Sequence, residues 1–314
     1  MKTINFSYLC PITNQNWIME NQQPKQPRIG KFIDPLTDWG FRRLFGQEPN
    51  KEILIEFLND LFRGEKHIID LTYAPNEYDG DDVTDKRVIF DLHCRGDNGE
   101  YFIVEMQRIR QDHFKDRALF YVSRLIQRLL RKGGETNSYK LPEVYLIGIL
   151  EFTMDAGATG RYFHDIALMD KHTCKPFYNK LGFKFLEIVN FVKEEDGLLT
   201  DMDKWMYLLK HMRTLDKVPT FLDKRAFQLI FKISEVAKLK KEERMAYEAS
   251  LKAKRDTQNA FDTVRREGKE EASYLFVKNL LFNTNFHDEK IAELASVSVN
   301  FVEKVRADLR KKNT

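Results

Sequence analysis

The 314-residue sequence predicts an α/β fold: a mixed-sheet core in the order helix, three-strand meander, helix, strand, followed by an α-helical C-terminal region. Three observations lead there. Apolar residues recur at helical spacing in "NKEILIEFLNDLFRG". Three short strand-like runs come next, the last two joined by "RGDNG", whose Asp-Asn-Gly composition suits a tight hairpin. Past residue 150, helix-forming residues and mixed charge take over.

Residues 1–30 read as a flexible leader, because "NQNWIMENQQPKQPRIG" is crowded with Asn, Gln and Pro and has no apolar period. The stretch "INFSYLCPI" is broken by Pro11 and lacks the basic start and small-residue cleavage site of a signal peptide. No run approaches the roughly 18 apolar residues of a membrane span. The core is expected over residues 31–155. Its first helix carries Ile53, Leu54, Phe57, Leu58, Leu61 and Phe62 on one face, with Asn50 as N-cap and Gly64 as the stop. The strands are "HIIDLTYA", "KRVIFDLHC" and "EYFIVEMQ", read as an antiparallel meander. An amphipathic helix follows from about Asp112 to Arg131, then "EVYLIGIL", a continuous apolar run of the kind that is buried on both sheet faces. Residues 156–235 read as a helical extension of the core, on "EEDGLLTDMDKWMYLLKHM" and "RAFQLIFKISEVAKL". Residues 236–314 read as a charged helical C-terminal region. Its end, "HDEKIAELASVSVNFVEKVRADLRKK", has the helix, short turn, helix pattern shared by DNA-binding helix-turn-helix units and by plain helical hairpins, the hairpin being the commoner.

Composition excludes some classes and leaves others open. With 51 Lys and Arg against 48 Asp and Glu, the net charge of +3 does not by itself signal a nucleic-acid binder, and only local clustering counts. Cys10, Cys94 and Cys174 are far apart and form no CxxC, so neither a disulfide framework nor a zinc site is expected. A reducing, cytoplasmic setting fits. No repeat of twenty to fifty residues is present.

Within the hairpin, "FDLHCRGDNGEYFIVEMQ" puts three polar side chains where a buried strand normally has none. If the turn centres on Asp97 and Asn98, Asp91 lies opposite Val104 or Glu105, while Glu105 and Gln107 share a face because strand side chains repeat every two residues. A buried carboxylate is costly unless paired, hydrogen-bonded or bound to a metal. Asp91, Glu105, the Gln107 amide oxygen and the Met106 backbone carbonyl are hard donors suited to Mg²⁺, with Mn²⁺ able to substitute. The same acids on the solvated face of a half-exposed hairpin would need no ion at all.

On the helix that follows, Arg110, Arg117, Tyr121, Arg124, Arg128 and Arg131 fall on one side and Ala118, Val122, Leu125, Ile126 and Leu129 on the other. Arginine forks suit phosphate oxygens, and a tyrosine among them suits sugar or base; a solvated basic face is the plainer alternative. His93 shares strand parity with Asp91, which makes it a second-rank candidate to approach the metal or a water, although a lone strand histidine is more often structural. The acidic run "EYDGDD", with Asp79, Asp81 and Asp82, lacks EF-hand spacing and reads as a solvated loop.

Asp91 followed by "VEMQ", with Glu105 and Gln107 at separations of 14 and 16, resembles the PD-(D/E)XK nuclease signature in its E-x-Q variant. "DPLTDWGFRRLFG", "IEFLNDLF", "VEMQRIRQDHFKDRALFYVSRLIQ" and "LPEVYLIGILEF" narrow the resemblance to the recombination-promoting nucleases, also described as PD-(D/E)XK nuclease family transposases. It runs from about Ile33 to beyond "DKWMYLLKHM". The resemblance implies a restriction-endonuclease-like core in which Asp91 and Glu105 are the metal-binding acids. Gln107 takes the position where many relatives of the superfamily carry Lys, and the amide orients by hydrogen bonds rather than by charge. Glu56, on the first helix, is an additional metal-ligand candidate by the same resemblance, or else faces solvent. Asp38 and Arg42 in "DWGFRRLFG" resemble a family motif whose expected work is helix capping and packing. The function implied is Mg²⁺-dependent DNA endonuclease activity linked to recombination or mobile elements. The alternative is a non-cleaving nucleic-acid-binding or protein-interaction module on a nuclease-like scaffold. DNA is the expected partner, with a homo-oligomer through the helical C-terminal region and no membrane.

Overall fold

The computed structural model describes residues 30–78, 88–132, 140–155 and 160–312. The expected leader and the acidic run with Asp79, Asp81 and Asp82 lie outside the described residues. The chain enters through α1 (Asp38–Phe45), whose first turn is capped by Thr37, its Oγ1 accepting the Gly40 N–H at 3.1 Å. A 3-10 turn at Glu48–Asn50 leads into α2 (Lys51–Leu61). Asn50 precedes α2 as expected but does not cap it with its side chain; Nδ2 donates instead to the Arg43 carbonyl at 3.4 Å. Gly64, just past the helix, takes φ +82, a conformation that glycine adopts at little cost.

The three strand-like runs become β1 (Leu71–Tyr73), a two-stranded ribbon of β2 (Glu77–Tyr78) and β3 (Val88–Ile89), then β4 (Leu92–Gly96) and β5 (Tyr101–Gln107). The second run is therefore split at Phe90 and Asp91, between β3 and β4. After β5 come α3 (Phe114–Lys132), β6 (Val144–Leu150), β7 (Phe163–Met169) and β8 (Pro176–Glu187). The sheet order is β1-β4-β5-β6-β8-β7. The pairs β5–β6 and β6–β8 are parallel and the others antiparallel. Every residue of β6 is buried, as its unbroken apolar run requires.

Two strands fall in the stretch expected to be wholly helical, residues 156–235, which corrects that expectation. Charge hid them. β8 carries Lys184 and Glu187 inside its apolar run, both buried. Lys184 Nζ is paired with Glu65 at 3.0 Å and Asp165 at 2.8 Å, while Glu187 Oε1 accepts the Met154 N–H at 2.8 Å. β7 is an edge strand with Ile166, Leu168 and Met169 exposed, so it has no one-sided pattern to read. The packed core also runs past residue 155, because α4 (Asp201–His211) and α5 (Arg225–Ser234) share it.

Strand alternation sorts the core into two layers. Phe102, Val104, Met106, Tyr145, Ile147 and Ile149 face α1, α2, α4 and α5, where Phe45, Phe57, Trp205 and Phe227 form an aromatic cluster. Ile103, Val144, Leu146 and Phe185 face α3 through Ala118, Val122 and Leu125. α6 (Lys241–Asn283) begins on this body, where buried Tyr247 accepts the Asp34 N–H at 2.8 Å and Lys254 meets Glu151 at 2.9 Å. Its far end packs with α7 (Asp288–Ala295) and α8 (Val299–Lys312) around Val277, Ile291, Ala292, Val302 and Val305. The turn between α7 and α8 has Ser296 at φ 52. Among the described residues no helix is long and apolar enough to cross a membrane.

Candidate active site

The site grows from the break between β3 and β4. Asn76 holds that break: its carbonyl accepts the Phe90 N–H at 2.8 Å, its Nδ2 donates to the Asp91 carbonyl at 3.0 Å, and its Oδ1 accepts the His93 N–H at 3.1 Å. Asp91 is thereby released from the ladder just beyond the Leu92–Val104 pair and lies level with Glu105. The Asp91 N–H donates to Glu105 Oε1 at 3.2 Å, and the Met106 N–H donates to Asp91 Oδ2 at 2.8 Å. Each carboxylate is thus tied to the other's stretch of backbone. Across the parallel ladder Glu105 pairs with Gly148, which puts no side chain beside it; a Cβ there would lie 2.6 Å from the Phe185 ring.

Both acids are half-buried, and desolvation is the first cause of a shift in each. The Asp91 carboxyl is pushed up by burial, against the Met106 N–H that favours its charged form; Asp38 adds to the rise, and Arg42 and Arg117 oppose it. Glu105 is pushed up to about 8 by burial and then by the charge of Asp91, with the Asp91 N–H and Arg117 opposing. Two desolvated carboxyls side by side make a donor set that a divalent cation fits. Among the described residues no three His, Cys, Asp or Glu side chains group to hold a metal. An ion here would rest on these two carboxylates, the Met106 carbonyl and water.

Gln107 shares the face of Glu105, as strand parity requires, but its Oε1 accepts a hydrogen bond from Arg117 Nη2 and its Nε2 donates to the Ile109 carbonyl at 3.2 Å. Its side-chain oxygen thus carries a guanidinium contact on one of its two lone pairs. Arg117 also donates to Gln111 at 2.5 Å and lies 5.5 Å from the Tyr121 ring. Burial pushes the Tyr121 phenol up, with the Glu105 charge adding to it. The basic residues differ from expectation in position. α3 starts at Phe114, so exposed Arg110 sits in the preceding loop and not on the helix. Arg124 and Arg128 are half-buried along the margin of α3, while the outward face carries exposed Leu119, Phe120 and Leu130. The Arg131 side chain lies outside the described residues.

Two second-rank candidates find other work. His93 is buried between Tyr101 and Phe90, with ring centroids at 5.7 and 5.5 Å, and its Nδ1 is 3.3 Å from the Pro75 carbonyl. Burial pushes its pKa down to about 4, as for a packed, neutral imidazole. Glu56 sits on α2 at 3.7 Å from Lys224 Nζ, in a cluster with Asp60 and Asp201 and among the helices of the opposite layer. Asp38 and Arg42, expected to cap and pack, do neither: Thr37 is the cap, and both residues are exposed with their charges acting on Asp91. Arg108, 3.4 Å from Asp38, completes this rim and was not foreseen, although it directly follows Gln107.

No curated protein matches the chain, and no solved structure does. A family model described as PD-(D/E)XK nuclease family transposase spans residues 35–264, from the approach to α1 through both carboxylates and into α6, and by that match the chain belongs to the PD-(D/E)XK nuclease family transposases.

Proposed function

We propose that this protein is a Mg²⁺-dependent DNA endonuclease that hydrolyses phosphodiester bonds, with Mn²⁺ able to substitute, and that it serves recombination or mobile elements in the cytoplasm. The observation that carries this reading is the cross-bonded pair Asp91 and Glu105, whose desolvated carboxyls need either a proton or a cation. Asp91, Glu105 and the Met106 carbonyl would hold the ion. Bound there, a divalent cation supplies Lewis acidity at a phosphoryl oxygen and a water acidic enough to yield hydroxide near neutral pH.

The chain's own residues supply the rest. Gln107, fixed between Arg117 and the Ile109 carbonyl, positions the attacking water or the scissile phosphate. Arg117 brings to this strand end the positive charge that Gln107 lacks, at the position where relatives of the superfamily carry Lys. Arg110, Arg124 and Arg128 extend a cationic margin for backbone phosphates, which position a duplex without reading its sequence, and Tyr121 among them suits sugar or base.

Isothermal titration with Mn²⁺ at pH 7, in two buffers of different ionisation enthalpy, tests the reading. A metal-free Glu105 at about 8 is mostly protonated at pH 7, so binding releases close to one proton. Asp91→Asn and Glu105→Gln should lose both the binding and the proton. If both variants bind Mn²⁺ like the parent, the pair is not a metal site and the non-cleaving binding module becomes the better account.

A further inference from the structure

The parallel strands β5, β6 and β8 stop level with one another, at Gln107, Leu150 and Glu187. Directly beyond them Arg108, Glu151 and Ile188 line one side of a cavity of about 410 Å³, and α6 closes the other with Lys254 and Arg255. Crevices outside the carboxyl ends of parallel strands are where open α/β sheets take their ligands. The volume also falls in the range of roughly 300–1,000 Å³ that small-molecule sites occupy. Lys210 of α4 and Arg213 complete the wall, whereas Glu105 and Gln107 meet Arg117 of α3, so the cavity and the two acids draw on different layers.

Five cations stand in that wall against one acid, Glu151. Their partners are few. Lys254 is engaged by the Leu36 carbonyl at 3.0 Å, Glu151 at 2.9 Å and Asp34 at 3.4 Å, and Asp34 also takes Arg213 at 3.7 Å. Arg108 meets Asp38 at 3.4 Å, yet its Nη1 is buried with no hydrogen-bond partner among the described residues. Arg255 has no ion pair among the described residues, and its Nε is buried without an acceptor. Lys210 donates to the Phe191 carbonyl and has no carboxylate partner among the described residues. A buried donor left without an acceptor costs the full desolvation of that group, so a ligand supplying charged acceptors gains from both guanidinium groups. The five cations face three carboxylates, Asp34, Asp38 and Glu151, which leaves two positive charges unmatched. A phosphate monoester brings roughly two negative charges at pH 7 and three terminal oxygens, whereas a phosphodiester within a strand brings about one charge. Leu36, Ile109, Ile188 and Leu251 add an apolar wall, which suits a base rather than a bare sugar phosphate. We infer that this cavity binds the phosphate monoester of a nucleotide, with Arg108, Lys210 and Arg255 on the phosphate and the nucleoside against the apolar wall. The site uses no metal and neither of the two acids, so it stands apart from the nuclease reading. A free mononucleotide and the 5′-phosphorylated end of a strand present the same group.

Isothermal titration of the full chain with dAMP in EDTA should show saturable binding. Arg255→Gln should weaken it by roughly ten- to a hundredfold, the scale for losing one charge-assisted hydrogen-bonding group. Arg265→Gln removes the same charge from an exposed position of the same helix and should bind like the parent. Arg255→Lys should recover part of the affinity, which separates lost charge from lost folding, and deoxyadenosine, without the phosphate, should not bind. A second arm reads the source of the group by fluorescence anisotropy on one duplex with 5′-phosphate or 5′-hydroxyl ends. Tighter binding of the phosphorylated duplex by the parent, lost in Arg255→Gln, assigns the cavity to strand ends; equal binding of the two duplexes, with dAMP bound, assigns it to free nucleotides. A parent that neither binds dAMP nor prefers the phosphorylated end overturns the inference. So does binding that Arg255→Gln leaves unchanged, that Arg265→Gln weakens equally, or that deoxyadenosine matches.

Discussion

At pH 7 and without a cation the Glu105 carboxyl keeps its proton, since burial and then the charge of Asp91 push it up to about 8. The unfolded chain, with an ordinary glutamate, has lost that proton well below pH 7. Between the ordinary value and about 8 the folded state therefore binds more protons, and stability falls as pH rises through that window. Melting temperatures of the metal-free parent should drop from pH 5 to 8 and those of Glu105→Gln should drop less; equal slopes would move the shift to another group. Next to it, Gln107 and Arg117 act as one hydrogen-bonded unit. Gln107→Ala should slow cleavage by roughly ten- to a thousandfold, the scale for loss of one orienting donor. Arg117→Ala should fall in the same range, the double variant should cost little more than either single one, and Arg117→Lys should recover part of the rate. Fully additive losses would separate the two. The residues Asp91, Glu105 and Gln107 were readable because strand parity and turn composition set the hairpin register. Asn76, Arg108 and the positions of Asp38 and Arg42 were not, since each acts at the interruption between β3 and β4 or in a rim formed by residues distant in sequence.

Elements show the same division between local pattern and long-range pairing. β6 announces itself by seven apolar or small residues in a row, and α3 by its buried Ala118, Val122 and Leu125. β8 could not be read that way, because Lys184 in its middle is acceptable only through Glu65 and Asp165, which come from other parts of the chain. α4 depends on a buried acid for its start. Asp203, fully buried, accepts the Leu199 and Thr200 N–H groups at 3.0 Å and pairs with Lys193 at 2.7 Å, while Thr200 caps Asp203 in return. Hydrogen bonds from Lys193 and Tyr162, opposing the cost of burial, hold its carboxyl down at about 2. Asp203→Ala should cost about 2–4 kcal/mol in urea unfolding, as cap and buried pair are lost together. Because the folded value is depressed, this stabilisation is present above the ordinary aspartate range and is lost as pH falls toward about 2, so the parent and the variant should converge in acid. On α3, Arg124→Ala with Arg128→Ala should flatten the salt dependence of duplex affinity, since each phosphate contact releases counterions. An unchanged slope would leave that margin as surface only.

The whole chain brings together what no single segment holds: α1 supplies Asp38 and Arg42, the hairpin supplies the acids, and α3 supplies Arg117, all at one end of the sheet. The helix-rich second half was foreseen in composition, but its division into a sheet-completing part and a separate three-helix unit was not, because that division rests on which faces of α6 find partners. If Asp91 and Glu105 hold a cation for phosphodiester hydrolysis, cleavage of supercoiled plasmid by the full chain depends on both the metal and the two acids. Over a titration of Mg²⁺ and Mn²⁺, the parent should nick and linearise the plasmid only when metal is present. Glu105→Gln, folded by thermal melt, should stay at background at every metal concentration. Cleavage by Glu105→Gln at the parental rate, or by the parent in excess EDTA, would contradict the account.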